Sequence, residues 1–323
     1  MINLPYAVIL EVYARVNPQI ACLIVSFARP DSLSQIVSEC LTDPNRRVYL
    51  FIDRANGSFV LENQQVVDIA LSFTDHPNVH VRIATKPHGP QRGVAAGLAW
   101  AFEKEDELVV IEDDTILNSH TLRFFEETRH LLSREVGILC SLSIPAIDDS
   151  RKFSCQSGHF SPFALTNCWM LEKQLWLESI KPIQLSDLVS MFSGSFNRLS
   201  SYLFFLSGAL RFDNSLGKTG WDSKMQFSLI KKDLKAFMPG SNLSGNSGND
   251  HVASNSKVPA GSSGIHWEIE ESPSALKICE SKECNQQIIK VFESYFRISW
   301  RSYFSPLKTM GLITKNSPHL WNS

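Results

Sequence analysis

Short apolar runs separated by mixed segments dominate the first 145 residues of the chain. Residues 20–27 (IACLIVSF) are apolar almost without interruption, which is typical of a strand buried on both faces of a sheet. The same pattern predicts further strands, over residues 48–52, 79–83, 108–111 and 136–142.

Segments with helical periodicity lie between these runs. Asp31 caps a predicted helix whose apolar face carries Leu33, Ile36, Val37, Cys40 and Leu41. An Ala-rich helix is predicted over 94–104, and Ser119 caps another, with Leu122, Phe125, Leu131 and Leu132 facing inward. This alternation predicts an α/β fold with a mostly parallel central sheet, flanked by helices and joined by right-handed connections.

The pattern weakens beyond about residue 145. Residues 182–220 are rich in Ser and Gly and are interpreted as loops, whereas 221–232 have a helical pattern. Residues 240–264 are rich in Gly, Ser and Asn and cannot form a core by themselves, so we expect a binding loop there that closes over a ligand. The final segment, 276–323, has the composition of an aromatic and basic helical tail.

The composition is that of a globular protein in a reducing compartment. The 323 residues are 43% hydrophobic and 20% charged, and a net charge of -2 gives no support for nucleic-acid binding. Seven scattered cysteines without a CxxC pair argue against structural zinc. There is no signal-peptide pattern, and the apolar run 202–210 is too short to span a bilayer, so we expect a cytoplasmic protein whose membrane contact, if any, is peripheral.

Three consecutive carboxylates, Glu112, Asp113 and Asp114, follow the predicted strand 108–111. Ligands of open α/β sheets bind beyond the carboxyl ends of the strands, and crowded anions there call for a cation. Mg²⁺ and Mn²⁺ use one or two protein carboxylates and complete their coordination with phosphate oxygens and water. The triplet therefore predicts a metal-diphosphate site, and the alternative is a solvated acidic turn. Neither GxGxxG nor GxxxxGK[ST] occurs, which disfavours dinucleotide-binding and P-loop folds.

Four stretches together resemble a known family. They are 27–31 (FARPD), 51–53 (FID), 89–114 ending in the acidic triplet, and 220–251, which contains Gly220-Trp221-Asp222 and His251. In order and spacing, residues 20–255 resemble the GT-A nucleotide-sugar glycosyltransferases, more narrowly their family-2-like and N-acetylglucosaminyltransferase-I-like group. The sequence departs from the family at Ala28, where Asn is usual, and at Arg54, where Gly is usual. Of the family's tryptophan-rich segment, only Trp169 and Trp176 remain.

The resemblance implies roles for the acidic residues. Asp114 would bind Mn²⁺ or Mg²⁺, joined by His251 when the polar loop closes, although a lone exposed His usually has no such role. Glu112 and Asp113 would hold the sugar and ribose hydroxyls of the donor. Asp222 would be the catalytic base, and the alternative is an acid that favours a helix N-terminus.

The resemblance also implies the nucleotide contacts. Asp53 would meet the uridine base or form a turn, and Ser26, Phe27 and Arg29 would meet the nucleotide, with Arg29 alternatively a surface residue. Arg92 and Gly93 would open a helix whose free N–H groups favour anions. Gly93 and Gly97 would let the backbone approach the donor, with helix packing as the alternative. Trp221 either stacks on the acceptor sugar or packs in the core. These residues are Ser26, Phe27, Arg29, Asp53, Arg92, Gly93, Gly97 and Trp221.

The expected activity is inverting, metal-dependent transfer of a sugar from a nucleotide diphosphosugar, most simply a UDP-sugar, to a hydroxyl of a glycan such as a cell-surface polysaccharide. Residues 18–145 would be the donor-binding half and 146–275 the acceptor half. The tail would either contact a membrane that carries a lipid-linked acceptor or close the core. A sugar nucleotidyltransferase is disfavoured because FARPD lacks glycine. A non-catalytic glycan- or nucleotide-binding module remains the alternative.

Overall fold

The computed structural model describes residues 19–132, 135–143, 158–184, 199–213, 221–247 and 278–279. The strands within them are β1 Ala21–Ser26, β2 Val48–Ile52, β3 Val79–Ile83, β4 Glu107–Glu112, β5 Thr115–Ile116, β6 Val136–Cys140, β7 Gly158–Ser161, β8 Cys168–Glu172, β9 Lys235–Met238, β10 Gly245–Asn246 and β11 Ile278–Cys279. The helices are α1 Pro30–Cys40, α2 Val60–Ser72, α3 Pro90–Ala101, α4 Ser119–Thr128, α5 Lys173–Ser179, α6 Leu199–Asp213 and α7 Trp221–Lys231.

One large mixed sheet organises this part of the chain. Its strand order is β11-β7-β9-β6-β8-β4-β1-β2-β3, and β10 pairs separately with β5. Strands β4, β1, β2 and β3 are mutually parallel. Strand β8 runs antiparallel to both of its neighbours, β4 and β6. The predicted α/β class and the mostly parallel sheet flanked by helices are confirmed.

Both faces of the sheet are buried, which explains the uninterrupted apolar runs. On β1, Leu23 belongs to one core cluster, whereas Cys22 and Ile24 belong to the other. Helices α1, α2 and α4 contribute buried side chains to the Cys22 side, and α3, α5, α6 and α7 contribute them to the Leu23 side. Because successive strand residues alternate between faces, a strand in this position needs apolar side chains at nearly every residue.

Helix α4 shows how local sequence sets a boundary next to the site. Its N-cap is Asn118, not the predicted Ser119, because the Asn118 side chain accepts hydrogen bonds from the backbone N–H groups of His120 and Thr121. The Thr121 hydroxyl completes the capping box and also donates to the carbonyl of Leu243, at 2.5 Å. Helix α4 is thereby attached to the segment just before β10.

The second half contains more regular structure than the sequence pattern predicted. Residues 199–213, interpreted from their Ser-rich surroundings as part of a loop, form helix α6, whose Leu203, Phe205 and Leu206 are buried. Strands β7, β8 and β9 were also not predicted, since beyond about residue 145 the apolar runs no longer alternate regularly with helical segments.

Within the described ranges, no helix is both long enough and apolar enough to cross a membrane. The predicted tail lies outside the described residues except for β11, so its helical character remains a prediction.

Candidate active site

The parallel order β4-β1-β2 brings three sets of polar residues to one edge of the sheet. Residues 26–29 end β1, Asp53 ends β2, and the acidic triplet Glu112, Asp113 and Asp114 ends β4. Open α/β sheets bind ligands at this edge. The structure therefore brings together most of the site residues predicted from the sequence, although they span almost ninety positions of the chain.

Asp113 joins the ends of β1 and β4. Its Oδ2 accepts hydrogen bonds from the backbone N–H of Phe27 at 2.7 Å and from the Ser26 hydroxyl at 3.3 Å. Its Oδ1 pairs with Arg29 Nη1 at 2.6 Å, and the whole residue is only 7% exposed. Arg29 is thus an ion-pair partner within the site, not the free surface residue of the alternative interpretation. A carboxylate held by three donors is fixed in position before any ligand arrives.

Asp53 fixes the turn that precedes α3. Its Oδ1 accepts from the backbone N–H groups of Arg54 and His88, each at 2.9 Å, and its Oδ2 accepts from the Gly89 N–H at 2.8 Å. Gly89 has φ +75°, in the left-handed region that favours glycine. Asp53 therefore forms the turn of one interpretation left open by the sequence, and its contact with a uridine base stays a prediction.

Helix α3 begins at Pro90, four residues earlier than predicted. This corrects the expectation that Arg92 and Gly93 open the helix with free N–H groups. The N–H groups of Arg92 and Gly93 both donate to the Gly89 carbonyl, at 3.1 and 2.8 Å, so they are not free to bind an anion. The Arg92 side chain is exposed. Gly93 packs against the buried Asp53, and a Cβ on it would lie 3.7 Å from Asp53 Oδ2, in ordinary van der Waals contact.

Gly97 faces the sheet rather than the binding edge. A Cβ there would lie 3.2 Å from Phe51 Cβ and 3.4 Å from Val25 Cγ2. The packing alternative describes this glycine, because its small size lets α3 approach β1 and β2 closely.

Asp114 is attached to two later parts of the chain. Its carboxylate Oδ1 accepts from Asn167 Nδ2 at 3.1 Å, and it also hydrogen bonds with the Asn246 side chain. The backbone carbonyl of Asp114 accepts from the Ser247 N–H at 2.8 Å. Residues 241–247, predicted as the start of a closing loop, are therefore partly held by the β10–β5 pairing and by this contact.

Asp222, at the start of α7, contributes to the electrostatic environment of Glu112 at the acidic end of β4. Burial raises the pKa of Glu112 well above its usual value, and the negative charges of Asp114, Asp222 and Asp113 raise it further, while Arg29 lowers it. Four carboxyl groups thus share one region, with Arg29 offsetting part of their charge.

The other two acids of the cluster are perturbed in the same direction. Burial raises the pKa of Asp222, although its side chain is exposed and accepts the Ser223 N–H at 2.8 Å. The carboxylate of Asp222 is therefore accessible to solvent. Burial and the charge of Asp113 raise the pKa of Asp114, whereas Arg29 and Asn246 lower it.

Trp221 packs in the core beside Asp222. It is 6% exposed, and its ring stacks on that of Trp169 with 4.9 Å between centroids and 13° between planes. The packing alternative therefore describes Trp221, and this stack holds the start of α7 against β8. Stacking on an acceptor sugar would need a more open ring face.

The residues around Asp114 fit a divalent cation in one respect. Asn167 Oδ1 is a buried acceptor with no hydrogen-bond partner among the described residues, and its amide contacts Asp114. Within the same residues, no group of three or more His, Cys, Asp or Glu side chains is arranged to hold a metal. A cation here would therefore take few protein ligands. His251, the second predicted ligand, lies outside the described residues.

Two buried amides of the site were not predicted from the sequence. Asn167 precedes β8 and reaches Asp114, and Asn63 on α2 donates through Nδ2 to the carbonyls of Phe27 and Asp53. Asn63 belongs to a helix whose polar face appears ordinary in sequence. The position of Asn167 depends on the antiparallel insertion of β8, for which the sequence carries no short motif.

No protein-family profile and no curated protein sequence matches the chain. Among solved structures it is similar to the mannosyltransferase PcManGT from Pyrobaculum calidifontis in complex with GDP-Man and Mn²⁺, with 10% identity over 71% of this chain and 75% of that chain, and a TM-score of 0.36. It is also similar to a putative glucose-1-phosphate thymidylyltransferase from Bacillus anthracis in complex with sucrose, with 12% identity over 72% and 91%, and a TM-score of 0.41. Similarities this weak carry no argument about activity.

Proposed function

We propose that this protein is an inverting, metal-dependent glycosyltransferase of the GT-A type that uses a nucleotide diphosphosugar, with a UDP-sugar as the first candidate. The observation that carries the proposal is the convergence of the acidic end of β4, the end of β1 and Asp53 at one sheet edge. In this proposal residues 18–145 form the donor half and 146–275 the acceptor half.

The fixed network around Asp113 supports a binding role. Since Phe27, Ser26 and Arg29 already use three acceptor sites of its carboxylate, the remaining site on Oδ1 would accept a hydroxyl group of the donor. Glu112, half-buried beside it, would accept the sugar hydroxyls. Asp53 Oδ2 accepts one backbone N–H, so it retains capacity for a nucleobase N–H.

Asp222 is the proposed general base. Its exposed carboxylate would take the proton of the acceptor hydroxyl while that oxygen attacks the anomeric carbon and the bond to the diphosphate breaks. A raised pKa makes a carboxylate a stronger base, so the environment of Asp222 favours this role. Mn²⁺ or Mg²⁺ held by Asp114 would neutralise the charge that develops on the leaving diphosphate.

The test combines two variants with one control. Asp222→Asn should lower the rate of sugar transfer about 10² to 10⁴-fold and leave the Kd for UDP nearly unchanged. Asp114→Ala should abolish the Mn²⁺-dependent part of UDP binding, measured by calorimetry. Asp68→Asn, which removes an exposed carboxylate on α2, should change neither quantity.

Transfer or slow UDP release from a panel of nucleotide sugars with Mn²⁺ would separate catalysis from binding. If UDP binds but no donor is ever turned over, the protein is the non-catalytic binding module of the alternative hypothesis. If Asp222→Asn weakens UDP binding as much as it lowers transfer, Asp222 is not the base. Equal UDP binding with and without Mn²⁺ would remove the metal from the proposal.

A further inference from the structure

The antiparallel strand β8 brings Asn167 to the acidic end of β4. Ile111 pairs with Cys168, so the residue just before β8 lies beside the residues that follow β4. The backbone carbonyl of Asn167 accepts hydrogen bonds from the Glu112 N–H at 3.3 Å and from the Thr115 hydroxyl at 3.1 Å. One donor, Glu112, precedes Asp114 in the chain and the other, Thr115, follows it. These two hydrogen bonds therefore fix the backbone of Asn167 at the acidic turn.

The side chain of Asn167 is only half satisfied. It is 7% exposed, and its Nδ2 donates to Asp114 Oδ1 at 3.1 Å. Its Oδ1 is buried and has no hydrogen-bond partner among the described residues. A buried acceptor without a partner destabilises the fold, so an arrangement in which this oxygen binds a ligand is favoured.

A half-turn of the Asn167 side-chain amide about its terminal C–C bond would bring two potential metal ligands together. The turn places Oδ1 where Nδ2 now lies, about 3.1 Å from Asp114 Oδ1. Neighbouring ligands of an octahedral Mg²⁺ at about 2.1 Å are separated by about 3.0 Å. Two oxygens at that distance repel each other without a cation and bind one jointly when it is present. Carboxylate and amide oxygens are also the ligand types that suit Mg²⁺ and Mn²⁺.

We propose that Asn167 is a ligand of the divalent cation, binding it through Oδ1 beside the carboxylate of Asp114. The inference rests on the proposed function, which assigns that cation to Asp114. Two protein ligands leave the remaining octahedral positions for diphosphate oxygens and water, as is usual for Mg²⁺ in nucleotide sites.

The experiment measures Mn²⁺ binding by electron paramagnetic resonance, in the presence of UDP, without any need for turnover. Asn167→Ala should weaken Mn²⁺ binding about 10 to 100-fold, the range seen when a supporting group of a metal site is lost. Asn167→Asp should bind Mn²⁺ at least as tightly as the wild type, because it replaces a neutral oxygen ligand with a carboxylate. Asn78→Ala is the control, since it removes a partly buried amide that donates to the Pro44 carbonyl at the opposite edge of the sheet, and it should leave Mn²⁺ binding unchanged.

The aspartate variant tests whether an oxygen at position 167 can hold the cation together with Asp114. If Asn167→Asp binds Mn²⁺ more weakly than Asn167→Ala, an oxygen there opposes the cation and the inference is overturned. Loss of Mn²⁺ binding in Asp114→Ala with full binding in Asn167→Ala would also overturn it, while leaving the proposed function intact. If the wild type and Asp114→Ala bind Mn²⁺ equally, the metal site of the proposed function itself is wrong, and the inference fails with it. Urea midpoints of all variants establish that each one folds, and the aspartate variant carries the test if alanine does not.

Discussion

Asn63 joins the two strand ends that carry the proposed nucleotide contacts. Its Nδ2 donates to the carbonyl of Phe27 at 2.6 Å and to that of Asp53 at 2.7 Å, and its Oδ1 accepts the Ala55 N–H at 3.1 Å. The residue is 3% exposed. Replacing Asn63 with Ala removes all three bonds and leaves two carbonyls and one N–H of the loops without that partner.

The three hydrogen bonds set the size of the expected effect. A buried intramolecular hydrogen bond contributes about 1 kcal/mol net, so Asn63→Ala should lower the free energy of unfolding by about 3 kcal/mol. The segments after β1 and β2 would then no longer be held together. If UDP binding must then supply about half of this free energy to order the two segments, the Kd for UDP rises about tenfold.

Urea unfolding and calorimetric titration with UDP measure the two effects on the same protein. Gln226→Ala is the matched control, because its buried side chain bonds Ala164 N–H and Pro162 carbonyl at 2.8 and 2.9 Å, away from these two segments. It should lower stability by about 2 kcal/mol, from two such bonds, and leave UDP binding unchanged.

Two results would refute this reasoning. A loss of stability in Asn63→Ala below about 0.5 kcal/mol would mean that water replaces the amide without cost. A loss near the expected size with an unchanged Kd for UDP would mean that these segments do not form the nucleotide site.

Two further predictions concern the sheet edge and the helix beside it. Because the pKa of Glu112 is raised in the folded state, its protonated form stabilises the fold below the unfolded-state pKa, and this contribution is lost as the pH rises through the folded-state pKa. Glu112→Gln should therefore have a higher urea midpoint than the wild type at about pH 8 and a similar one at about pH 4, and a lower midpoint at the higher pH would contradict the electrostatic argument. Gly97→Val should lower the free energy of unfolding by about 1 to 3 kcal/mol through overpacking against Phe51 and Val25, and an unchanged thermal midpoint would show that α3 can move away from the sheet.

The first half of the fold could be predicted because its central strands, β1, β2 and β4, are buried on both faces. The predicted strands at 48–52 and 79–83 agree with β2 and β3, and the predicted core face of α1 is the buried one. The acidic triplet 112–114 follows from the same pattern, whereas 26–29 and 53 were implied by the family resemblance; parallel strands place all of these ends together. Long apolar runs and short polar ends are sufficient to locate such an edge.

In the second half, the predicted helix over 221–232 agrees with α7, but most other elements could not be predicted, and the reasons are physical. Strand β8 has five residues and runs antiparallel between two strands from elsewhere in the chain, so nothing local fixes its position. The side chain of Asn167 therefore reaches Asp114 only through a pairing that the sequence does not encode nearby. Helix α6 has an apolar stretch with Ser-rich surroundings, and its burial comes from packing against α7 rather than from strong amphipathicity.

The place of β9 in the sheet has a consequence for synthesis of the protein. This strand lies between β6 and β7, yet it follows the end of β6 by roughly 95 residues. At ribosomal rates, one side of β6 waits on the order of 5 to 20 s for its neighbour to be translated. During that interval its unpaired backbone can join a strand of another nascent chain. Slow induction at low temperature, or added chaperone, should therefore raise the yield of native protein. Substitutions at the candidate site, where β1, β2 and β4 end, should raise it less.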